Sequence, residues 1–374
     1  MPRAWSSHAD AIVPAGGTHY HGLVSGGSFV NASKFAALLV LAPSLLFLSK
    51  PLPAQAPENP TTSVDSGEEE STLHGAKWSR LIETDLVEEK FDELDRMAAQ
   101  FRSEKTRLPG GGWKLSSFYG ALDKPMLTDK DTLDHLAHLR HWIAQRPESI
   151  TARVALATSL HRWAWVARGN GMANTVTAEG WRLFGARIEE SSSVLKAAAN
   201  LHERCPQWYS EMMVVGLAQS WDEPKMREVF QQGIQFEPEY FHLYKQMANY
   251  LLPKWDGKPG DASAFAKTAA DNVGGEQGDV IYFHIATAVI GKSGKEVKAH
   301  EMDWARIQRG YQALTAQYGT TRWLKNEIAY FAYEFRDAAV ARQKFEEIGD
   351  HWERSVWRDR ERFDRARDWA QNHS

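Results

Sequence analysis

Two stretches of this 374-residue chain share one pattern: CPQWYSEMMVVGLAQSW at 205–221 and EPEYFHLYKQMANYLLPKW at 237–255. Each carries a proline, one polar residue and two aromatics, followed by apolar residues at helical spacing. Pro206, Trp208 and Tyr209 thereby correspond to Pro238, Tyr240 and Phe241. The pattern recurs. Units starting at Ile150, Tyr209, Phe241 and Asp279 place a small residue eighth (Ala157, Gly216, Ala248, Ala286) and a larger apolar one seventh (Leu156, Val215, Met247, Ile285). Positions seven and eight share a helix face with positions four and eleven, and a small side chain there lets a second helix approach closely. A fifth, weaker unit starts at Arg322, with Ile328, Ala329 and Ala332. Each unit is followed by a second helical stretch, at about 178–201, 222–236, 261–272, 300–318 and 337–348.

No run alternates apolar and polar residues for long enough to make a convincing strand. The expected fold is therefore all-α: an irregular array of helical hairpins over 147–348, preceded by N-terminal helices over 77–146. The stretch RLIETDLVEEKFDELDRMAAQFRSEK reads as helical, with Leu81, Leu86, Phe91, Leu94 and Phe101 near helical spacing, and LPGGGWKL ends it. A capping helix over 350–374 keeps Trp352, Val356, Phe363 and Ala370 on one side. In HWERSVWRDRERFDRARDWAQNHS six Arg are nearly matched by five Asp and Glu, which suits a water-facing cap and not a nucleic-acid helix.

On these residues the chain resembles the tetratricopeptide (TPR-like) superfamily. Paired helices, a small residue near their crossing and a proline closing the second helix carry the likeness, with Pro147, Pro206 and Pro238 in the closing role. It covers roughly 150–348. The unit starts lie 59, 32, 38 and 43 residues apart rather than at the family's steady ~34, and Met226 stands where a small residue is expected. The stretch from FDELDRMAAQF through WKLSSFYGAL to ARGNGMANTVTAEGWRLF is also similar to a family of uncharacterised exported bacterial proteins with a TPR-like domain. The first resemblance implies an α–α superhelix whose first helices line a concave groove. The second implies no activity.

Lys34, the apolar run Phe35–Leu48 and Ala54-Gln55-Ala56 form the charged region, hydrophobic region and cleavage site of an export signal. As a helix this run spans ~21 Å against a hydrocarbon core of ~30 Å, so no stable membrane span is expected after cleavage. Residues 1–56 are thus read as an N-terminal extension plus signal, 57–76 as a flexible linker, and 77–374 as one helical domain. Pro57 disfavours cleavage, and an uncut signal would leave an anchor. Translation starting near Val30 would give a signal of conventional length, and a trapped precursor beginning at Met1 would exclude that. The expected location is the periplasm or the exterior of a bacterium.

The formal net charge of −4 gives no bias toward nucleic acid. Fifteen Trp residues are many, and serve either helix packing or a sugar- or partner-binding surface. Cys205, without a partner for a disulfide, reads as a buried small hydrophobe. His135, His138 and His141 at steps of three do not share one helix face, so they read as a solvated face and no metal is expected. Glu190–Ser193 and Gly216–Gln219 resemble two fragments of lytic transglycosylases, but stand too far apart and read as chance. No phosphate loop, nucleophile elbow or Cys–His pairing is present, so no catalytic residue and no cofactor is assigned.

The function-like features are two irregular connections. WAWVARGNGMANTVT carries Trp165, Arg168 and Asn170 into a Gly/Asn-rich loop, and LPKWDGKPGD places Trp255, Asp256 and Lys258 between two prolines. Long loops with aromatics and mixed charge, held on a rigid array, are where binding residues concentrate. These six residues are the expected binding site of a non-catalytic scaffold whose partner is a protein or peptide held on a groove of the array. The alternative is an exported α/α carbohydrate-active enzyme, which needs two carboxylates in one cleft.

Overall fold

The computed structural model describes residues 66–123, 128–169, 171–290 and 297–373, with side chains from Lys77 onward. The expected N-terminal extension and signal, 1–56, lie outside the described residues. Among those described, the chain forms sixteen α-helices and no β-strand. Four come first: α1 (Ser66–Val87), α2 (Phe91–Glu104), α3 (Lys114–Leu122) and α4 (Asp129–Gln145). Five pairs follow: α5 (Ile150–Arg168) with α6 (Ala178–Ala198), α7 (Pro206–Ala218) with α8 (Glu223–Phe236), and α9 (Phe241–Tyr250) with α10 (Asp261–Val273). The last two pairs are α11 (Gly275–Val289) with α12 (Trp304–Tyr318), and α13 (Arg322–Glu334) with α14 (Ala338–Ile348). Each pair packs on itself, and α5, α7, α9 and α11 pack in succession.

The two helices of a pair differ in burial for a reason visible in their sequences. In α7 every residue from Tyr209 to Ala218 is buried, because the first helices are covered on both sides. In α8 only Met226, Phe230 and Gly233 are buried, one stripe facing α7. Four of the five second helices begin on side-chain caps: Thr177, Asp222, Asp303 and Asp337 each accept from the backbone N–H three residues on, while α10 starts at Gly260. Each such cap contributes about 1 kcal/mol. The small residues Ala157, Ala248 and Ala286 are fully buried, as the repeat pattern requires. The tightest helix approach is nonetheless on a second helix, at Gly310 of α12, where the Asp279 carbonyl of α11 takes the space of a Cβ.

Three expectations need correction. The linker expected over 57–76 is helical from Ser66, and its residues 57–65 lie outside the described residues. The helical stretch through Phe101 is two helices. Glu89 turns left-handed (φ 57°), and Lys90 binds back to Asp85 through its backbone N–H (2.9 Å) and its ammonium (3.2 Å). Leu81 consequently faces water while Ile82 and Leu86 take the core. The cap is likewise split into α15 (Arg354–Trp357) and α16 (Arg360–Asn372) by Arg358 at φ 71°. The break lets Trp357 drive inward, where its indole N–H donates to the Asn326 side chain at 2.8 Å.

Residues 105–113 form a strap that leaves the N-terminal helices and crosses to later pairs. Backbone bonds from Lys114 to Thr106 (3.0 Å) and from Leu108 to Gly112 (2.7 Å) close it into a loop. Trp113, fully buried, lies edge-on to Tyr240 and donates to the Glu239 carbonyl at 3.2 Å. The Arg107 guanidinium lies 3.6 Å from the Trp113 ring centre and bonds Glu239 at 2.9 Å. At the tip, Gly111 (φ 77°) sits so close to Leu314 of α12 that a Cβ would clash. The strap thus ties the N-terminal helices to the start of α9 and to α12.

Candidate functional site

The two irregular connections, far apart in sequence, meet. Trp165 lies in the last turn of α5, which ends because Gly169 takes φ 71°. Trp255 lies in the connection from α9 to α10, held by a turn in which its N–H donates to the Leu252 carbonyl at 2.9 Å. The two rings touch edge to face with centres 6.0 Å apart. Trp165 also packs edge-on to Phe184 (5.0 Å), which packs on Trp181 (5.8 Å). The Trp165 and Trp255 indole N–H groups are buried and have no acceptor among the described residues.

Arg168, the last residue of α5, is only 7% exposed. Its guanidinium lies between Trp165 and Trp181, at 5.4 and 5.3 Å from their ring centres. One of its amino groups donates to the carbonyls of Gly169 and Gly171, both at 3.2 Å. Burial lowers its pKa, and no carboxylate offsets that effect.

Asp256 is exposed and accepts from the Tyr250 hydroxyl at 2.6 Å, which burial and this carboxylate together hold well above the ordinary phenol range. Lys258 contributes a backbone N–H to Asp261 (2.8 Å), the start of α10, and is exposed. Trp165, Arg168 and Trp255 thus form one cluster, with Asp256 adjacent in sequence to Trp255 and tied to Tyr250. Among the described residues no hydrogen bond or ion pair joins Lys258 to the cluster. Asn170 lies outside the described residues.

A second polar grouping was not anticipated. Asp123, at the end of α3, pairs with Arg162 of α5. Beside it, His161 of α5 meets the Glu211 carboxylate of α7 at 2.8 Å. The other Glu211 oxygen accepts from Gln207 at 2.8 Å, and the Tyr240 hydroxyl donates to Gln207. Asp123, His161 and Glu211 are all buried. Burial pushes Asp123 up to about 7, against the opposing pull of Arg162 and His161. Burial also acts to raise Glu211, but the charge and hydrogen bond of His161, with Gln207, bring it below its ordinary value. One signal was available: Glu211 interrupts the apolar run of WYSEMMVVG, where an acid must find a partner.

The remaining candidates behave as surface or packing. The His135 imidazole lies 3.3 Å from the Ser159 hydroxyl, and His141 lies 3.5 Å from Glu89. No group of three or more His, Cys, Asp or Glu among the described residues is placed to hold a metal. Glu190 pairs with Arg140 at 2.6 Å, and Gln219 donates to Glu189 at 3.0 Å. Cys205 is buried, 3.4 Å from the Tyr119 hydroxyl.

No curated protein matches the chain. Over residues 81–238, from within α1 through α8, it is similar to the family described as "Domain of unknown function (DUF4034)", a segment that includes Asp123, His161, Glu211, Trp165 and Arg168 but ends before Trp255.

Proposed function

We propose that this protein is a non-catalytic scaffold of the bacterial envelope or secreted space, holding a protein or peptide partner on its helical array. The hairpins are read as an irregular TPR-like array, and export is read from the signal pattern around Phe35–Leu48. One observation supports the binding surface above the others. Trp165 and Trp255, from connections of two different hairpins, stand in contact at 6.0 Å beside a buried arginine. Rigid helices that bring two aromatic, irregular loops together build a binding site more readily than a turn that only closes a hairpin. We set the partner surface at this loop face of the array.

The test is photo-crosslinking in cells from a probe at Met172, which is 47% exposed in the first of the two loops. Capture of one envelope protein, lost in Trp255→Ala, supports the proposal. An unchanged capture pattern in that variant counts against it.

A second reading, an exported α/α carbohydrate-active enzyme, draws on the opposite pKa shifts of Asp123 and Glu211. Environments that pull two carboxyls apart in this way are how acid and base roles are divided. It requires polysaccharide cleavage by the full chain that Glu211→Gln abolishes. Cleavage surviving that change removes it.

A further inference from the structure

Arg168 is a buried cation without a counter-charge. Three other deeply placed arginines have one: Arg102 bonds Glu203 at 2.6 Å, Arg107 bonds Glu239 at 2.9 Å, and Arg306 bonds Asp279 at 2.7 Å, whereas Arg187, 9% exposed, meets the Trp163 carbonyl at 2.8 Å and the Trp163 ring. Arg168 meets only two backbone carbonyls and two indole faces, with no carboxylate in ion-pair reach among the described residues. Leaving a buried charge unpaired costs several kcal/mol, and leaving a buried N–H unmet costs ~1–3 kcal/mol. Two such N–H groups belong to Trp165, whose ring lies 5.4 Å from the guanidinium, and to Trp255, whose ring touches that of Trp165. The acid beside Trp255 in sequence, Asp256, already accepts from Tyr250 at 2.6 Å. The cluster therefore holds a surplus of donors and positive charge with no acceptor to match.

We propose that Arg168, Trp165 and Trp255 form a binding site for a compact oxyanion, a carboxylate or phosphate group carried by the partner. A guanidinium offers such a group paired, charge-assisted hydrogen bonds, and the indole N–H donors can take its remaining lone pairs. The flanking rings exclude water and strengthen those bonds. This inference deepens the scaffold reading and rests on it for the source of the oxyanion. The site itself is testable on the isolated protein.

The experiment titrates the full chain with potassium acetate and, separately, potassium phosphate, at ionic strength held constant with potassium chloride. Tryptophan fluorescence is the readout, because two of the responding rings belong to the site. A saturable change in the millimolar range with at least one salt is expected, and which salt saturates distinguishes a carboxylate from a phosphate source. Arg168→Gln should abolish it. Trp255→Phe, which keeps an aromatic ring and loses the N–H with the smaller ring of the indole, should weaken it about tenfold and serves if Arg168→Gln fails to fold. No saturable change with either salt, or equal titrations in wild type and both variants, overturns the inference. If acetate or phosphate binds but no partner is crosslinked in cells, the site stands and the scaffold reading fails. If a partner is captured while no anion binds, the reverse holds.

Discussion

An alanine at Gly310 isolates the contact that brings α12 onto α11. A Cβ there would lie 2.0 Å from the Asp279 carbonyl oxygen and 2.9 Å from the Phe283 Cβ. An ordinary carbon–oxygen contact is about 3.3 Å or more, so the helices must part by roughly 1 Å. The obstacle is backbone, which cannot rotate away, and the seam it opens is filled by buried Ile281, Phe283, Ile307 and Leu314. Overpacking of this kind costs about 1–3 kcal/mol and stands at the upper end here, while the better helix propensity of alanine returns ~1 kcal/mol. The expected net loss is about 2 kcal/mol, a fall of roughly 4–8 °C in Tm. Gly185 supplies the control: it lies inside α6, exposed, with nothing within 4 Å of an added Cβ. Gly185→Ala should be neutral or stabilise by up to ~1 kcal/mol. Urea and thermal unfolding of both variants by circular dichroism decide the matter. If Gly310→Ala stabilises the protein as Gly185→Ala does, the α11–α12 contact described above is wrong.

Two further outcomes are expected. Asp123 holds its proton up to about pH 7 when folded, whereas an unfolded aspartate releases it near pH 4. The folded state thus binds the extra proton between these values, so stability from this group is full below pH 4 and falls as pH rises through 7. Urea midpoints from pH 5 to 8 should fall more steeply in wild type than in Asp123→Asn, and equal slopes refute the assignment. Asn326 donates to the Arg322 and His351 carbonyls and accepts from the Glu353 N–H and the Trp357 indole. Asn326→Ala strands the buried Trp357 N–H and should cost about 3 kcal/mol or more. It should also make 350–374 an early proteolysis site, and wild-type resistance there contradicts that role.

The repeat was legible because it depends on local spacing. Helices α5, α9 and α13 begin at Ile150, Phe241 and Arg322, where the unit pattern starts. Breaks without Gly or Pro were not legible. Glu89 adopts left-handed backbone where Lys90 closes α1 onto Asp85, and Arg358 where Trp357 finds Asn326 in tertiary structure, and neither Glu89 nor Arg358 signals a turn by itself. Proline and glycine in LPGGGWKL announced that a helix ends, but not that Trp113 would land on Tyr240, since that depends on how the later hairpins stack. The same holds for the site. Trp165, Arg168 and Trp255 were singled out as loop residues. Their meeting, and the pairing of His161 with Glu211, follow from the packing of α5, α7 and α9, which no local pattern encodes.

The meeting of the two connections is the central claim, and a double-mutant cycle on Trp165 and Trp255 tests it most directly. Trp165→Ala, Trp255→Ala and the double variant are unfolded in urea and their stabilities compared. Rings in edge contact at 6.0 Å should show a coupling of about 0.5–1.5 kcal/mol, with the double variant losing less than the two single losses combined. Losses that simply add would place the two loops apart and contradict the account.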